Sequence, residues 1–221
     1  MAQGSENWYG ARFRFGRRRW RLRWQRVRAT ARGCRQLKDA VDLTFLVLDA
    51  LFLYDLSELL RSALTPGLRG LRPAEIALLR PIFGDSVPYA LIRLDERAHL
   101  GPRTHRICYV NCFTINSWGP MHPATLVHEV VHVWQYVHRG AAYIPRALRA
   151  QWSEMGYNYG GLPGLAAATE LEDFNYEQMA DVIEDGFRLS GGYRAQWVPG
   201  RGAEVLPAFF PFLDEVRAAV I

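Results

Sequence analysis

The stretch Pro123-Ala124-Thr125-Leu126-Val127-His128-Glu129-Val130-Val131-His132-Val133-Trp134-Gln135 decides how the rest of this chain is read. Pro123 opens a helix at a position where its missing N–H costs nothing, and Gly140 closes it. Inside that helix His128 and His132 stand four residues apart. Four residues turn a helix by about 400°, so the two imidazoles lie about 40° apart on one face and can share an ion. Glu129 sits beside the first histidine, within reach of a water on that ion. The pentapeptide has the HExxH form of zinc hydrolases, with the glutamate as general base. The competing reading is a helix carrying two satisfied histidines and a solvated glutamate. The helical setting after strand-like runs favours the metal.

A catalytic zinc site takes a third protein ligand and keeps one position open for water. Two candidates compete. Glu177, in Asn175-Tyr176-Glu177-Gln178-Met179-Ala180-Asp181, shares a helix face with Asp181. Glu177 would bind the ion, and Asp181 would accept the N–H of a ligating imidazole. Asp173, Glu177, Asp181 and Glu184 also lie near one line, and stacked carboxylates repel unless a cation relieves them. The second candidate is His138, at the spacing of a metzincin's third histidine, with Ser153-Glu154-Met155-Gly156-Tyr157 resembling a Met-turn. Gln135 stands where that pattern needs Gly. In an unbroken helix His138 points about 80° away from His128. The spacing therefore favours Glu177. In the Gly- and Tyr-rich loop 156–164, Tyr157 and Tyr159 are candidate donors to a developing oxyanion. Trp134 reads as a core anchor.

Around this centre the chain alternates helical and strand-like stretches. Apolar residues from Trp20 through Trp24, Val27, Ala31, Cys34, Val41, Phe45, Leu48 and Phe52 follow a heptad-like seam, which predicts one long helix or two joined, ending before Pro66. A short helix over 73–79 and strands over 88–94 and 107–115 follow. A last long helix begins at Thr169 with Glu172, or at Asn175 with Gln178, both capping-box patterns, and stops at Gly191-Gly192. The organisation expected is a basic arm (1–38), an apolar helix (39–65) and a metal-binding domain (66–221).

Charge divides along the same line. The 221 residues carry a formal net charge of +5. From Met1 to Lys38 there are eleven Arg and one Lys against a single acid, Glu6, so the remainder is net acidic. The Arg- and Trp-rich arm suits an anionic membrane, an acidic protein groove or nucleic acid, and a solvated tail is the plain alternative. Arginine continues to position 35, where a signal peptide's apolar core should already have begun. The apolar run 43–54 is too short, and with Asp49 too charged, to cross a bilayer. The three cysteines, Cys34, Cys108 and Cys112, read as free thiols, which suits a cytoplasmic protein or one exported by a non-classical secretion system.

Three segments carry a resemblance: Leu126 to Gln135 (LVHEVVHVWQ), Leu71 to Ser86 (LRPAEIALLRPIFGDS) and Phe174 to Phe187 (FNYEQMADVIEDGF). They resemble the zincin-like domains of Vgr-related proteins of type VI secretion loci and of extracellular contractile injection system cores. The likeness spans residues 71 to 190. It implies an α+β, gluzincin-type fold in which a small sheet packs on the HExxH helix, here with an N-terminal helical extension. It also implies Zn2+ held by His128, His132 and Glu177, with Glu129 as base. The function expected is amide hydrolysis of a peptide or protein substrate beside a secretion apparatus. The alternative is a non-catalytic, zinc-stabilised interaction module of that apparatus.

Overall fold

A computed structural model of the chain describes residues 8–65, 67–99, 103–104 and 107–221. It is a mixed α and β fold, dominated by helices. Four helices come first: α1 (Trp8–Arg18), α2 (Trp20–Gly33), α3 (Leu37–Ala50) and α4 (Leu53–Leu64). Then follow β1 (Arg69–Gly70), α5 (Pro73–Phe83), β2 (Arg93–Asp95), β3 (Tyr109–Asn111), β4 (Thr114–Asn116), α6 (Pro123–Arg139), α7 (Tyr143–Gln151), α8 (Gly161–Ala167), α9 (Tyr176–Ser190) and α10 (Phe210–Ala218).

Helix α6 is the axis. Pro123 opens it, and the His122 ring accepts a hydrogen bond from the Ala124 amide at 3.2 Å. Gly140, at φ 78°, ends it in a conformation that favours glycine. All residues from Leu126 to Val137 are buried, as expected of a helix surrounded by other elements. Its principal neighbour is α9. Asn175 caps α9, its Oδ1 accepting from the Glu177 and Gln178 amides, while Gln178 Oε1 accepts from the Asn175 amide. Of the two capping patterns in the sequence, this is the one that starts the helix. Asp173 instead closes the Thr169 turn, accepting from the Thr169 and Glu170 amides.

The sheet has the order β1-β2-β4-β3, with β2 and β4 parallel and the outer pairs antiparallel. The single strand expected over 107–115 is a hairpin, because Cys112 takes a φ of 55° and reverses the chain. That turn is held from outside: Glu58 Oε1 accepts from the Phe113 amide at 2.8 Å and the Thr114 amide at 3.1 Å. The strand expected over 88–94 is a 3-10 turn, Tyr89–Leu91, leading into β2. Cys34, Cys108 and Cys112 are all free.

The heptad-like seam is cut twice. Asp39 accepts the Arg35 and Gln36 amides and starts α3, and Phe52 adopts a φ of 63° between α3 and α4. The expected boundary at 38/39 therefore falls inside the first turn of α3, and Pro66 lies outside the described residues. The Arg-rich segment from residue 8 is helical and packs through charge. Arg12 is fully buried, donating to Asp55 Oδ1 at 2.6 Å and Glu58 Oε2 at 3.0 Å. Arg23 donates to Asp55 Oδ2 at 2.6 Å and to the Tyr136 hydroxyl, which donates in turn to Asp49. Arg19 and Arg26 donate to the Val137 carbonyl, and Arg26 also to that of His138, covering the open carbonyls at the end of α6. A solvated tail, the plain alternative for this segment, is not what residues 8–33 form.

Removing one partner from a buried ion pair leaves the other charge uncompensated, at a cost of about 3–5 kcal/mol. Arg12→Met should therefore destabilise the fold by about that much in urea unfolding, because it takes the guanidinium from Glu58 and leaves Asp55 to Arg23. A loss below ~1 kcal/mol would show that this network does not anchor the N-terminal helices.

Candidate metal centre

His128 and His132 project from successive turns of α6 with ring centroids 5.1 Å apart. Both rings turn Nε2 toward α9, where each nitrogen lies 3.3 Å from Glu177 Oε2. The ligating atoms of these three residues lie within 4.8 Å of one another, and all three side chains are buried. Glu177 is a ligand candidate here because the Asn175 cap sets its place in the first turn of α9. Its second oxygen accepts from Gln151 Nε2 at 2.9 Å, leaving Oε2 for the shared position.

The other ring nitrogens are used to aim the imidazoles. His132 Nδ1 lies 2.9 Å from Gln135 Oε1. The Gln135 amide is itself oriented, because its Nε2 donates to the Tyr176 carbonyl at 2.8 Å. The amide oxygen can only accept, so Nδ1 carries a proton and Nε2 is the nitrogen left to face Glu177. His128 Nδ1 lies 2.9 Å from Asp181 Oδ1 and 3.1 Å from Glu184 Oε2. This second grouping of His128, Asp181 and Glu184 could also hold an ion. Its carboxylates already have other partners, however: the Trp197 indole donates to Asp181, and Arg188 pairs with Glu184 at 2.6 Å. They serve as orienting acceptors behind His128.

The electrostatics point the same way. Burial opposes a charge on His128, but hydrogen bonds to Asp181, Glu177 and Glu184 raise its pKa well above the ordinary imidazole value. His132 is also raised, through Glu177, against the effect of burial. Glu177 is pushed far below the usual carboxylate range, its imidazole partners outweighing burial. The centre therefore attracts positive charge. Glu129 is the exception. Its carboxyl is raised by burial despite both histidines, and its Oε2 is buried without a hydrogen-bond partner. Two imidazole nitrogens, a carboxylate oxygen and an unpartnered acid beside them fit a bound metal ion.

These groups open on a cavity of about 340 Å³ whose opposite wall is apolar, including Val110, Tyr143, Ile144, Ala147 and Leu148. Tyr157 lines it as well, with its ring centroid 5.9 Å from that of His128. Tyr159 does not: its hydroxyl donates to Asp185 Oδ2 at 2.7 Å, so as an oxyanion donor it is corrected by the structure. His138 is also elsewhere. The helix runs unbroken through Gln135, and His138 Nε2 donates to the Ser86 carbonyl at 2.8 Å. Burial lowers its pKa to about 4. Met155 is half exposed, which does not fit a Met-turn beneath an ion. Sequence reading missed the aiming roles of Gln135, Gln151, Glu184 and Trp197. For Gln135 a signal existed, since it follows His132 by three residues on the same helix face.

No family model and no solved structure matches this chain. Among curated proteins it is 27% identical, over 156 residues, to the type VI secretion system spike protein VgrG2b of Pseudomonas aeruginosa. The match covers 64% of this chain and 15% of that protein's length, so the chain corresponds to a small part of its relative.

The geometry orders the effects of substitution on metal affinity. Glu177→Ala should cause the severest loss, whereas Asp181→Ala and Gln135→Leu should each cost on the order of 10–100-fold, because they only release an imidazole from its acceptor. His138→Ala should leave affinity unchanged. Competition against a chromogenic chelator measures all four, and a large loss for His138→Ala beside a mild one for Glu177→Ala would overturn the ligand assignment. Metal must also displace protons from imidazoles whose pKa values are raised. Affinity should therefore fall as pH drops, with the decline starting above the ordinary histidine value of about 6.5.

Proposed function

We propose that this chain is a zinc-dependent hydrolase of amide bonds, built on a zincin-like, gluzincin-type domain and working beside a type VI secretion apparatus. The observation that carries the reading is the spacing at Glu177. A tetrahedral zinc site with bonds of about 2.0–2.1 Å separates neighbouring ligand atoms by about 3.3–3.4 Å. The distance from Glu177 Oε2 to each Nε2 is 3.3 Å, which matches that separation. The likeness to part of a spike protein supports the link to a secretion apparatus.

When bound, zinc supplies Lewis acidity, which brings the pKa of water toward 7 and polarises a carbonyl. The protein's own groups do the rest. Glu129, which lines the cavity, takes the proton of the attacking water and returns it to the departing amine. Its raised pKa suits the second half of that task, since a more basic carboxylate holds the proton until the nitrogen needs it. Tyr157 is the remaining candidate for stabilising the oxyanion. Burial raises its hydroxyl pKa to about 12, so it remains a donor at neutral pH. Strand β3 ends the sheet order, and residues Cys108 to Val110 line the cavity. An extended peptide laid along this edge would pass over the histidines with a side chain in the apolar wall.

Glu129→Gln should retain one zinc per chain and lose hydrolysis, since it removes only the base. Elemental analysis and cleavage of a peptide library by the zinc-loaded protein test this together. Cleavage should favour peptides with a bulky apolar residue at the scissile bond over those with Asp or Lys, at least ~10-fold in kcat/KM. If zinc binds and neither wild type nor variant cleaves any peptide, the domain is a zinc-stabilised interaction module. If no metal binds, the proposal fails at its root.

A further inference from the structure

Helix α4 is inverted relative to an ordinary surface helix. Its carboxylates face inward: Asp55 and Glu58 are buried against Arg12 and Arg23. On the opposite face Leu53, Leu56, Leu60 and Leu64 are 46%, 52%, 55% and 79% exposed. Their spacing places them within about 80° of arc, as one stripe. Leu51, just before the helix, is also exposed. An apolar stripe left in water while acids are buried marks a face that another apolar phase covers.

The start of helix α4 lies beside the basic helices. Gly16 abuts Phe52 and Asp55, and the Arg23 guanidinium lies 5.1 Å from the Phe52 ring centroid. The α1–α2 junction is thus laid across the beginning of α4. Arg17, Arg18 and Arg21 are exposed at that junction, with Trp20 47% exposed among them. Farther along, Arg21, Arg28 and Arg32 recur at seven and four residues on one exposed face of α2. No acid occurs from residue 8 to residue 38.

We propose that this N-terminal layer docks on an anionic phospholipid bilayer, with the α4 leucines and Trp20 entering the interface and the exposed arginines meeting the headgroups. This inference is independent of the metal centre. The exposed positive charge selects an anionic surface, and the leucines and the interfacial tryptophan select lipid over nucleic acid. The stripe exposes the equivalent of about two whole leucines. That falls well short of the roughly 800 Å² per partner in a stable protein interface, whereas shallow interfacial insertion added to charge needs no such area.

The test is sedimentation of the full chain with vesicles of phosphatidylglycerol and phosphatidylcholine against pure phosphatidylcholine. Binding is expected only with the anionic lipid and should weaken with salt. Arg17→Gln with Arg21→Gln should weaken it by about fivefold per arginine, and Leu56→Gln with Leu60→Gln by about tenfold. Brominated lipid should quench wild-type tryptophan fluorescence, a readout that needs no variant. Absence of binding to anionic vesicles at low salt would overturn the proposal. So would binding that ignores the leucine changes and shows no quenching, since that is charge adsorption alone. A leucine-dependent dimer without vesicle binding would give the face to a second copy, and duplex DNA that strips the protein from vesicles would give the basic surface to nucleic acid.

Discussion

The burial of carboxylates between α6 and α9 is the constraint on which the rest of the structure depends. Glu129 stands on one helix, and Glu177, Asp181 and Glu184 on the other, all out of water. Charges in such a setting are tolerated only when paired or when they coordinate a metal. Two imidazoles, the Arg188 guanidinium and the Trp197 indole supply part of the compensation. The group of His128, His132 and Glu177 could hold a metal ion, which would supply the rest. The packing of these helices and the chemistry of the site are therefore one problem.

The same physics is repeated at the other end of α6 with the signs supplied differently. There the acids Asp49, Asp55 and Glu58 come from the N-terminal helices, and the cations are Arg12 and Arg23. Glu58 binds the backbone of the β3–β4 turn, so this network reaches the strand that forms the rim of the cavity. Arg19 and Arg26 meanwhile close the last carbonyls of α6. The arginines of the first helices thus divide into two populations. Those facing inward hold the helix that carries the histidines, and those facing outward leave the protein with one strongly basic surface.

What was legible in the sequence follows from the range over which each feature is determined. The α6 helix with its Pro and Gly ends, the Asn175 cap, and the pairing of Glu177 and Asp181 on one face are local matters of spacing. The structure brings His128, His132 and Glu177 together and leaves His138 on Ser86. The hairpin at Cys112 was not legible, because its turn is set by Glu58, 54 residues away along the chain. The inward arginines were hidden for the same reason. Composition shows a run of positive charge, whereas their burial depends on acids in α3 and α4 that read as parts of an apolar helix. Tyr159 was misplaced because loop composition does not show which way a side chain turns, and Asp185 takes its hydroxyl.

Both clusters grip α6 through neighbouring residues, and this bears on how rigidly the two imidazoles are held. Gln135 orients His132, while Tyr136, the next residue, accepts from Arg23 and donates to Asp49. Adjacent residues on a helix point about 100° apart. One polar anchor therefore faces α9 and the other faces the N-terminal helices. Turning α6 by even one residue's arc would pull His128 and His132 from Glu177 and Tyr136 from Asp49 together, exposing two buried networks to desolvation without compensation. The helix has a single rotation that satisfies both. The imidazoles are consequently aimed by the whole N-terminal layer as well as by their immediate partners, which is the preorganisation a metal site requires.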